Sequence, residues 1–198
     1  EKRPGNSIDP VVAKRGRNGR RRGNKRPARD KSPPRRTSGL VSQTFSVTKA
    51  VFLDTGILGI ITHPRANDEA KQCNAWLLGL LNTGVRICVA EVCDYELRRA
   101  YLHRNATSQL RRLDRLNATV SYVPIDTKMM NRAAELWAEA RKNGTPTADD
   151  KELDCDVILV AQAELATLLD EDLVVATTNV GHLQLFVKAD GWRNITPS

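Results

Sequence analysis

Short apolar runs alternate with longer amphipathic segments through residues 48 to 197 of this 198-residue chain. The first run, Ala50 to Leu53, is too short for a free-standing helix and is compatible with a buried strand. It ends at Asp54, and Gly56 then interrupts the pattern before a helical segment begins near Ile57. A strand that leads directly into a helix indicates a parallel α/β sheet, whose ligands bind beyond the carboxyl ends of the strands.

The same periodicity predicts the remaining elements of the domain. Asn67 and Asp126 are placed to cap two helices, and an almost wholly apolar helix follows an acidic opening at 154–156. A polar turn at 177–183 follows the last long strand. The predicted helices cover 68–81, 90–100, 104–117, 126–142 and 154–163, and the predicted strands cover 85–89, 121–125, 173–176 and an edge strand at 191–195.

Charge divides the chain into two parts. Residues 1–38 hold 14 Lys and Arg against 3 acids, whereas the rest has a balance of −3, so the overall +8 comes from the leading segment. That segment cannot bury enough apolar surface to fold. We predict a disordered basic tail over residues 1–45 and a folded domain over residues 46–198.

Three interpretations of the tail stay open. It is an RNA-binding arm that contacts phosphates, a solvated linker or piece of a transit segment, or a gene-start artefact. The last interpretation is suggested by Glu1 at the start, by the lack of a Met before Met129, and by a domain that would be complete from Val47.

Composition narrows the chemistry of the folded part. No apolar run approaches the roughly 20 residues of a membrane span and no secretory signal is evident, so we expect a cytoplasmic location and no membrane partner. The four cysteines lack CxxC spacing and are predicted to be buried thiols, and the three histidines are too scattered for a zinc site. These residues are Cys73, Cys88, Cys93, Cys155, His63, His103 and His182.

Carboxylates at three distant points of the sequence are the candidate chemistry. They are Asp54, Glu96 and Asp156, and a polar group at 177–179 follows the fourth strand. Taken singly, each is explained equally well by a helix cap or a solvated helix face. Gathered by the fold, they would repel one another and favour a hard cation, Mg²⁺ or Mn²⁺, with positions left for phosphate. Such a site supports metal-assisted phosphodiester hydrolysis.

Helical geometry limits which neighbouring acids can join that site. Glu91, Asp94 and Glu96 point in different directions on one helix, so at most two of them can face a common point. Asp154 and Asp156 are two residues apart, so only one of them can be directed into the site.

Four segments together resemble the PIN-domain nuclease family, and within it the small VapC-like toxins of bacterial type II toxin-antitoxin pairs. They occur in the family's order and spacing. The segments are Val51-Phe52-Leu53-Asp54-Thr55, Tyr95-Glu96-Leu97-Arg98-Arg99, Asp156-Val157-Ile158-Leu159-Val160-Ala161 and Val174-Val175-Ala176-Thr177-Thr178-Asn179.

The resemblance implies a three-layer α/β/α sandwich with a central, mainly parallel sheet. It implies a metal-dependent endoribonuclease that cuts single-stranded or looped RNA, with Asp54, Glu96 and Asp156 as ligands of Mg²⁺ or Mn²⁺. It also implies a cognate antitoxin, whose tail occupies the acidic site, and a homodimer. The apolar stripe over residues 126–142 is a candidate dimer interface.

The resemblance also assigns the turn after the fourth strand. Thr178 matches the family's site hydroxyl, whereas Asn179 and His182 stand where the family often has further acids. This departure lowers the charge of the site and leaves open whether one or two metals bind. The alternative function is therefore a catalytically weak or inactive PIN-like module that binds RNA or protein.

Two other enzyme classes lack a residue that they require. A phosphatase of the haloacid-dehalogenase type needs a second Asp two residues after the first, and Gly56 stands there. A Rossmann-like nucleotide site needs a glycine-rich phosphate loop after the first strand, and the sequence has none.

Overall fold

The computed structural model of the chain describes residues 48–64, 67–145 and 154–197. In this part, five parallel strands form one sheet in the order β3-β2-β1-β4-β5. The elements are β1 (Thr48–Leu53), α1 (Thr55–Ile61), α2 (Asp68–Asn82), β2 (Arg86–Ala90), α3 (Glu91–His103), α4 (Thr107–Asn117), β3 (Ser121–Val123), α5 (Thr127–Lys142), α6 (Cys155–Ala166), β4 (Glu171–Ala176), α7 (Val180–Leu183), β5 (Ala189–Asp190) and a 3-10 helix (Trp192–Asn194).

The predicted α/β class is confirmed. The predicted tail over 1–45, the domain boundary at residue 46 and the residues 146–153 between α5 and α6 lie outside the described residues. In the part of the chain that is described, no helix has both the length and the apolar character needed to cross a membrane.

Two groups of helices cover the sheet. Helix α1 contacts α2 and α3, and α3 contacts α4, whereas α6 contacts α5 and α7. Crossovers between parallel strands are right-handed, so the steps from β1 to β3 and the return steps to β4 and β5 place these groups on opposite faces. Helix α3 starts directly at the end of β2 and also contacts α6. The result is the expected three-layer sandwich.

The central position of β1 determines where the chain's polar groups emerge. Leu53 pairs with Val89 of β2 and with Ala176 of β4, so these three strands end level with one another. The side chains from Ala50 to Leu53 are fully buried, as expected for a strand covered on both faces. Residues that follow β1 and β4 therefore meet at one edge of the sheet.

Helix α6 is buried almost all round. Its residues from Val157 to Ala163 are all buried between the sheet, α5 and α3. One of them, Gln162, is polar: its Oε1 accepts from the Val92 amide at 3.2 Å and its Nε2 donates to the Val123 carbonyl at 2.6 Å. This side chain joins α6 to α3 and β3 and satisfies backbone groups that would otherwise be buried unpaired.

The apolar stripe of α5 is core. Met129, Ala133, Leu136 and Ala140 are buried, and α5 packs against α6. The stripe considered as a dimer interface is thus already covered within one chain, although Met130 keeps 39% of its surface exposed. The stripe therefore no longer supports the homodimer, which stays a prediction from the family resemblance.

The edge-strand prediction was shifted along the chain. Strand β5 pairs with β4 through Ala189 and Asp190, and the predicted segment 191–195 instead contains the 3-10 helix. Asp190 explains the change, because its Oδ1 accepts from the Gly191 amide at 2.7 Å and from Asn194 Nδ2 at 2.8 Å. These bonds turn the chain immediately after two residues of strand.

A buried ion pair ties the amino ends of β2 and β4 together. The Arg86 guanidinium donates to Glu171 through Nε at 2.6 Å and Nη2 at 2.5 Å, and it also reaches the Ala166 carbonyl at 3.0 Å. The Glu171 side chain is 3% exposed and that of Arg86 is 25% exposed. Arg86 holds the pKa of Glu171 below its ordinary value, so the carboxylate stabilises the fold while it is ionised.

We expect Glu171→Gln to lower the free energy of unfolding at pH 7 by about 2–4 kcal/mol, because the substitution leaves Arg86 partly buried without its counter-ion. The deficit should shrink below about pH 4 as Glu171 of the parent takes up a proton. Urea unfolding at both pH values measures this. Asp172→Asn is the matched control, since its pair with Lys188 is exposed on both sides and should change stability by less than about 0.5 kcal/mol. Equal losses in the two variants would contradict the account.

Candidate active site

Asp54 lies at the junction of β1 and α1. Its backbone amide donates to the Ala176 carbonyl at 3.0 Å, which continues the pairing with β4 by one residue. Its Oδ1 accepts from the Thr55 amide at 2.6 Å, so Asp54 is also the N-cap of α1. Asp54 therefore serves both as the cap of α1 and as a candidate site residue. Its bond to Thr55 fixes the direction of the carboxylate at the carboxyl end of the sheet.

Thr177 holds the other oxygen of that carboxylate. The residue directly follows β4, is 1% exposed, and donates from its Oγ1 to Asp54 Oδ2 at 2.7 Å. The same hydroxyl accepts from the Asn179 amide at 2.9 Å. One threonine thereby connects the two neighbouring strand ends and shapes the turn that follows β4.

The family resemblance assigned site roles to Thr178 and Asn179, whereas Thr177 was named only as part of the polar group at 177–179. Both are exposed, and Thr178 covers Gly56 so closely that a Cβ there would lie 2.4 Å from Thr178 Oγ1. Asn179 precedes α7 and makes no side-chain capping bond to it. The alternation of side chains along an extended segment decides this difference, because Thr177 points inward and Thr178 outward.

Glu96 approaches from the second turn of α3. Its Oε2 accepts from Thr55 Oγ1 at 2.7 Å, and Arg99 Nη2 lies 3.9 Å from its Oε1. The two other acids of α3 serve the scaffold. Glu91 accepts from the Ile125 amide at 2.6 Å, and the buried Asp94 is bonded by Arg98 and Asn117. As predicted, not all three face one point, and only Glu96 points toward the end of β1.

Asp156 enters from the first turn of α6. Asp154, two residues earlier, is the N-cap and accepts from the Val157 amide at 3.4 Å. Asp156 Oδ2 lies 3.7 Å from Nδ1 of His182, which belongs to α7 and is about half exposed. One of the two acids is thus the cap and the other faces the turn after β4, in agreement with the geometric prediction.

The three carboxyl groups share one electrostatic environment. Burial, together with the nearby charges of Asp54, Asp154 and Glu96 and against the opposing effect of His182, raises the pKa of Asp156 to about 6. Burial also raises the pKa of Asp54, helped by the charge of Glu96 and opposed by the hydrogen bonds from Thr177 and Thr55. These acids thus influence one another although 102 residues separate the first from the last.

All four cysteines are free thiols; three are buried as predicted, whereas Cys155, predicted to be buried, is only partly buried. Two lie beside the carboxylates. Burial raises the pKa of Cys93 well above its ordinary value and that of Cys155 to about 12, with the charge of Glu96 contributing in both cases. A thiol that stays protonated is a poor nucleophile and a poor metal ligand, so the oxygen atoms are the chemically available donors.

The chemical type of these donor atoms suits hard divalent cations. Oxygen ligands from Asp54, Glu96 and Asp156 are those that Mg²⁺ and Mn²⁺ prefer, and their mutual repulsion is the condition that a cation relieves. Within residues 48–64, 67–145 and 154–197, however, no group of three or more His, Cys, Asp or Glu side chains is close enough to hold a metal ion. A cation shared by all three would require these side chains to move toward one another.

Similarity to known proteins appears at the level of structure. No family profile matches the chain, and no curated protein matches it. Among solved structures, VapBC2 from Rickettsia felis, bound to a DNA fragment from its promoter, is similar at a TM-score of 0.56 and 14% identity, with 72% of this chain and 98% of that chain covered. VapBC-1 from nontypeable Haemophilus influenzae gives 0.55 and 15%, with 73% and 99% covered, and DNA-bound VapBC from Salmonella typhimurium gives 0.50 and 19%, also with 73% and 99% covered.

The chain has a PIN-like fold. This confirms the fold that the resemblance of the four sequence segments predicted. At sequence identities of 14–19%, the likeness shows the fold alone. The covered shares mean that the PIN-like domain spans nearly the full length of each neighbouring chain.

Thr177→Val should disturb this PIN-like site more than a change at the adjacent residue. The variant loses the bond to Asp54 and leaves the Asn179 amide without its acceptor, a cost of about 1–3 kcal/mol. The pKa of Asp54 should rise further, because one of the bonds that lower it is removed. Urea unfolding and carboxyl-carbon NMR titration measure the two effects. Thr177→Ser should restore both values and Thr178→Val should change neither; a Thr178→Val variant with the same losses would contradict this placement.

Asp156→Asn should stabilise the metal-free protein. The pKa of Asp156 is raised from 3.8 to about 6, so above pH 6 the folded protein holds an ionised Asp156 at a cost in stability. Below about pH 4 the side chain is protonated in the folded state and this cost disappears. We expect the variant to gain about 1–2 kcal/mol at pH 8 in EDTA and nothing at pH 4. Unfolding of the exposed Asp170→Asn control should match the parent at both pH values. A loss of stability in Asp156→Asn at pH 8 would contradict the repulsion described here.

Proposed function

We propose that this protein is a metal-dependent endoribonuclease that hydrolyses phosphodiester bonds in single-stranded or looped RNA. The observation that carries the proposal is the convergence of Asp54, Glu96 and Asp156 at the carboxyl edge of a PIN-like sheet. Asp54 and Asp156 have pKa values raised by burial and by neighbouring carboxylate charge, which makes the group poorly suited to a purely structural role and well suited to a divalent cation.

In this proposal Asp54, Glu96 and Asp156 hold Mg²⁺ or Mn²⁺ through carboxylate oxygens. When bound, the ion supplies a Lewis acid that lowers the pKa of water and neutralises charge on the scissile phosphate. Thr177 and Thr55 orient Asp54, and the Thr55 hydroxyl orients Glu96, so the two carboxylates are held by bonds that do not involve the substrate.

The turn after β4 completes the site. Asn179 offers a neutral amide oxygen where a fourth acid would add charge, and its exposed position leaves it free to contact water or substrate. Thr178 lies over Gly56 at the start of α1 and contributes an exposed hydroxyl on the same side. Fewer negative charges favour a single metal ion over two and reduce repulsion of the RNA phosphates.

We also propose that the protein is the toxin of a type II toxin-antitoxin pair in the cytoplasm. The support is the likeness of its fold to chains of three VapBC assemblies. A protein partner would inhibit the nuclease by covering the carboxylate edge. A homodimer and a basic RNA-binding tail remain parts of the proposal that rest on sequence.

One observation favours the alternative, a PIN-like module that binds RNA or protein without cutting. No three of the described metal-ligating side chains are assembled for a cation. The resemblance adds that Asn179 stands where the family often has an acid. Such a module would bind its partner equally well with and without divalent ions.

The decisive experiment is cleavage of a labelled single-stranded RNA pool by the full chain in Mn²⁺, in Mg²⁺ and in EDTA. We expect cleavage only with metal, and a reduction of at least about 100-fold in Asp54→Asn, Glu96→Gln and Asp156→Asn, because each variant removes one charged ligand. The exposed Asp170→Asn protein is the matched control and should cut like the parent.

Two results would reject the nuclease. One is full activity of Asp54→Asn, and the other is an intact, RNA-binding parent that never cuts with either metal. Far-UV circular dichroism of every variant separates loss of activity from loss of fold. Asn179→Asp adds a carboxylate at the turn and should tighten Mn²⁺ binding, which calorimetry measures independently of cleavage.

A further inference from the structure

A basic groove lies between α2 and α4, away from the carboxylates. We define it by Lys71 on α2, by Arg112 and Arg115 on α4, and by His63 after α1. The groove encloses about 560 Å³, which is within the range of about 300–1,000 Å³ typical of ligand sites. The three cationic side chains are exposed, so they stand at its rim.

The arginines of this region carry uncompensated charge. Among the described residues, no carboxylate forms an ion pair with Arg112, Arg115 or the nearby exposed residues Arg104 and Arg111. Lys71 lies 3.3 Å from Asp68, but both side chains are largely exposed and such a pair is weak. A surface of this kind attracts a polyanion.

Arg112 is fixed in place by the backbone beneath it. Its guanidinium donates to the carbonyls of His63 and Pro64, just past the carboxyl end of α1. Arg112 therefore positions the end of α1 against α4. By contrast, Arg115 donates through Nε to the Arg111 carbonyl of its own helix at 3.1 Å, and Lys71 pairs with the exposed Asp68, so neither cation bridges two elements. These two cations are the residues expected to make the contacts.

A smaller depression, whose lining includes Glu69, runs from the groove along α1 toward the active site. It encloses about 200 Å³ and follows α1 from His63 past Gly59 to Gly56, two residues beyond Asp54. Helix α1 has seven residues, so at about 1.5 Å per residue the groove begins about 10 Å from Asp54. Gly59 places no side chain in this depression, and at Gly56 the Thr178 hydroxyl occupies the space that a side chain would take.

We propose that the basic groove binds the phosphate backbone of single-stranded RNA on one side of the scissile bond. This inference rests on the proposed function, because it assigns a route to the substrate of that site. A backbone contact requires cations spaced along a track and no base-specific partners, which is what two helices with exposed Lys71 and Arg115 present. A docked protein segment would instead need apolar anchor pockets, and Ala70 and Leu77 beneath the groove are already buried.

The test is binding of a fluorescein-labelled 12-nucleotide oligouridylate to the full chain in EDTA, followed by anisotropy from 50 to 300 mM salt. The variant is Lys71→Gln/Arg115→Gln. The matched control is Lys128→Gln/Lys142→Gln, which removes two exposed charges from α5. Arg112 is left intact because it holds α1.

We expect the groove variant to raise Kd roughly 10- to 30-fold near 0.1 M salt and to reduce the salt slope by about 1.4, since each single-strand phosphate contact contributes about 0.7. The α5 control should change both values much less. Unchanged binding by a folded groove variant would overturn the proposal. Equal competition by a polyglutamate peptide would also overturn it, and would identify the groove as a site for an acidic protein segment.

The two proposals fail in different ways. If the parent binds RNA through the groove and never cleaves it with Mn²⁺, the nuclease is rejected and the groove stands. If the parent cleaves and the groove variant binds like the parent, the groove alone is rejected.

Discussion

The pairing of β1 with β4 is the constraint on which the rest of the site depends. Leu53 lies opposite Ala176, and one further bond, from the Asp54 amide to the Ala176 carbonyl, extends the register to the end of both strands. Thr177 then reaches Asp54 directly. A shift of one residue would turn Thr177 away from Asp54 and break the hydrogen bond that orients the carboxylate.

The two ends of the sheet have opposite electrostatic roles. At the amino end, Arg86 and Glu171 form a bidentate pair that stabilises β2 against β4. At the carboxyl end, Asp54 and Asp156 are partly buried near each other, and their pKa values are raised first by burial and then by the charges of neighbouring carboxylates. The buried strands and α6 stabilise this end of the sheet enough to offset the free-energy cost of placing carboxylates close together. Carboxylates held in this way favour the binding of a cation.

Hydrophobic periodicity predicted most of the fold because the sequence carries clear strand patterns and clear helix patterns. Short apolar strands and long amphipathic helices alternate, and a strand that ends at Asp54 before a helix indicates the functional edge of a parallel sheet. The sequence also ruled correctly that Glu91, Asp94 and Glu96 could not all face one point. The prediction from sequence was wrong at β5. There Asp190 accepts hydrogen bonds from the Gly191 amide and the Asn194 side chain, and these bonds turn the chain, which residue propensities do not predict.

Two residues important to the site lay beyond sequence reasoning for a physical reason. Thr177 and Thr178 are chemically identical, and only the exact end of β4 decides which one points inward. Gln162 has no distinctive spacing, and its role follows from the tertiary position of Val92 and Val123, whose backbone groups it satisfies. A polar residue inside an otherwise apolar helix was the one available signal.

The account is tested most directly by locating the metal. Crystals grown or soaked with Mn²⁺ and measured near the manganese absorption edge should give an anomalous difference peak at the carboxyl edge of the sheet. If the proposed nuclease site is right, oxygens of Asp54, Glu96 and Asp156 surround this peak, after these side chains have moved toward one another. A peak at another place in a folded domain, or saturating Mn²⁺ with no peak among these three residues, would contradict it.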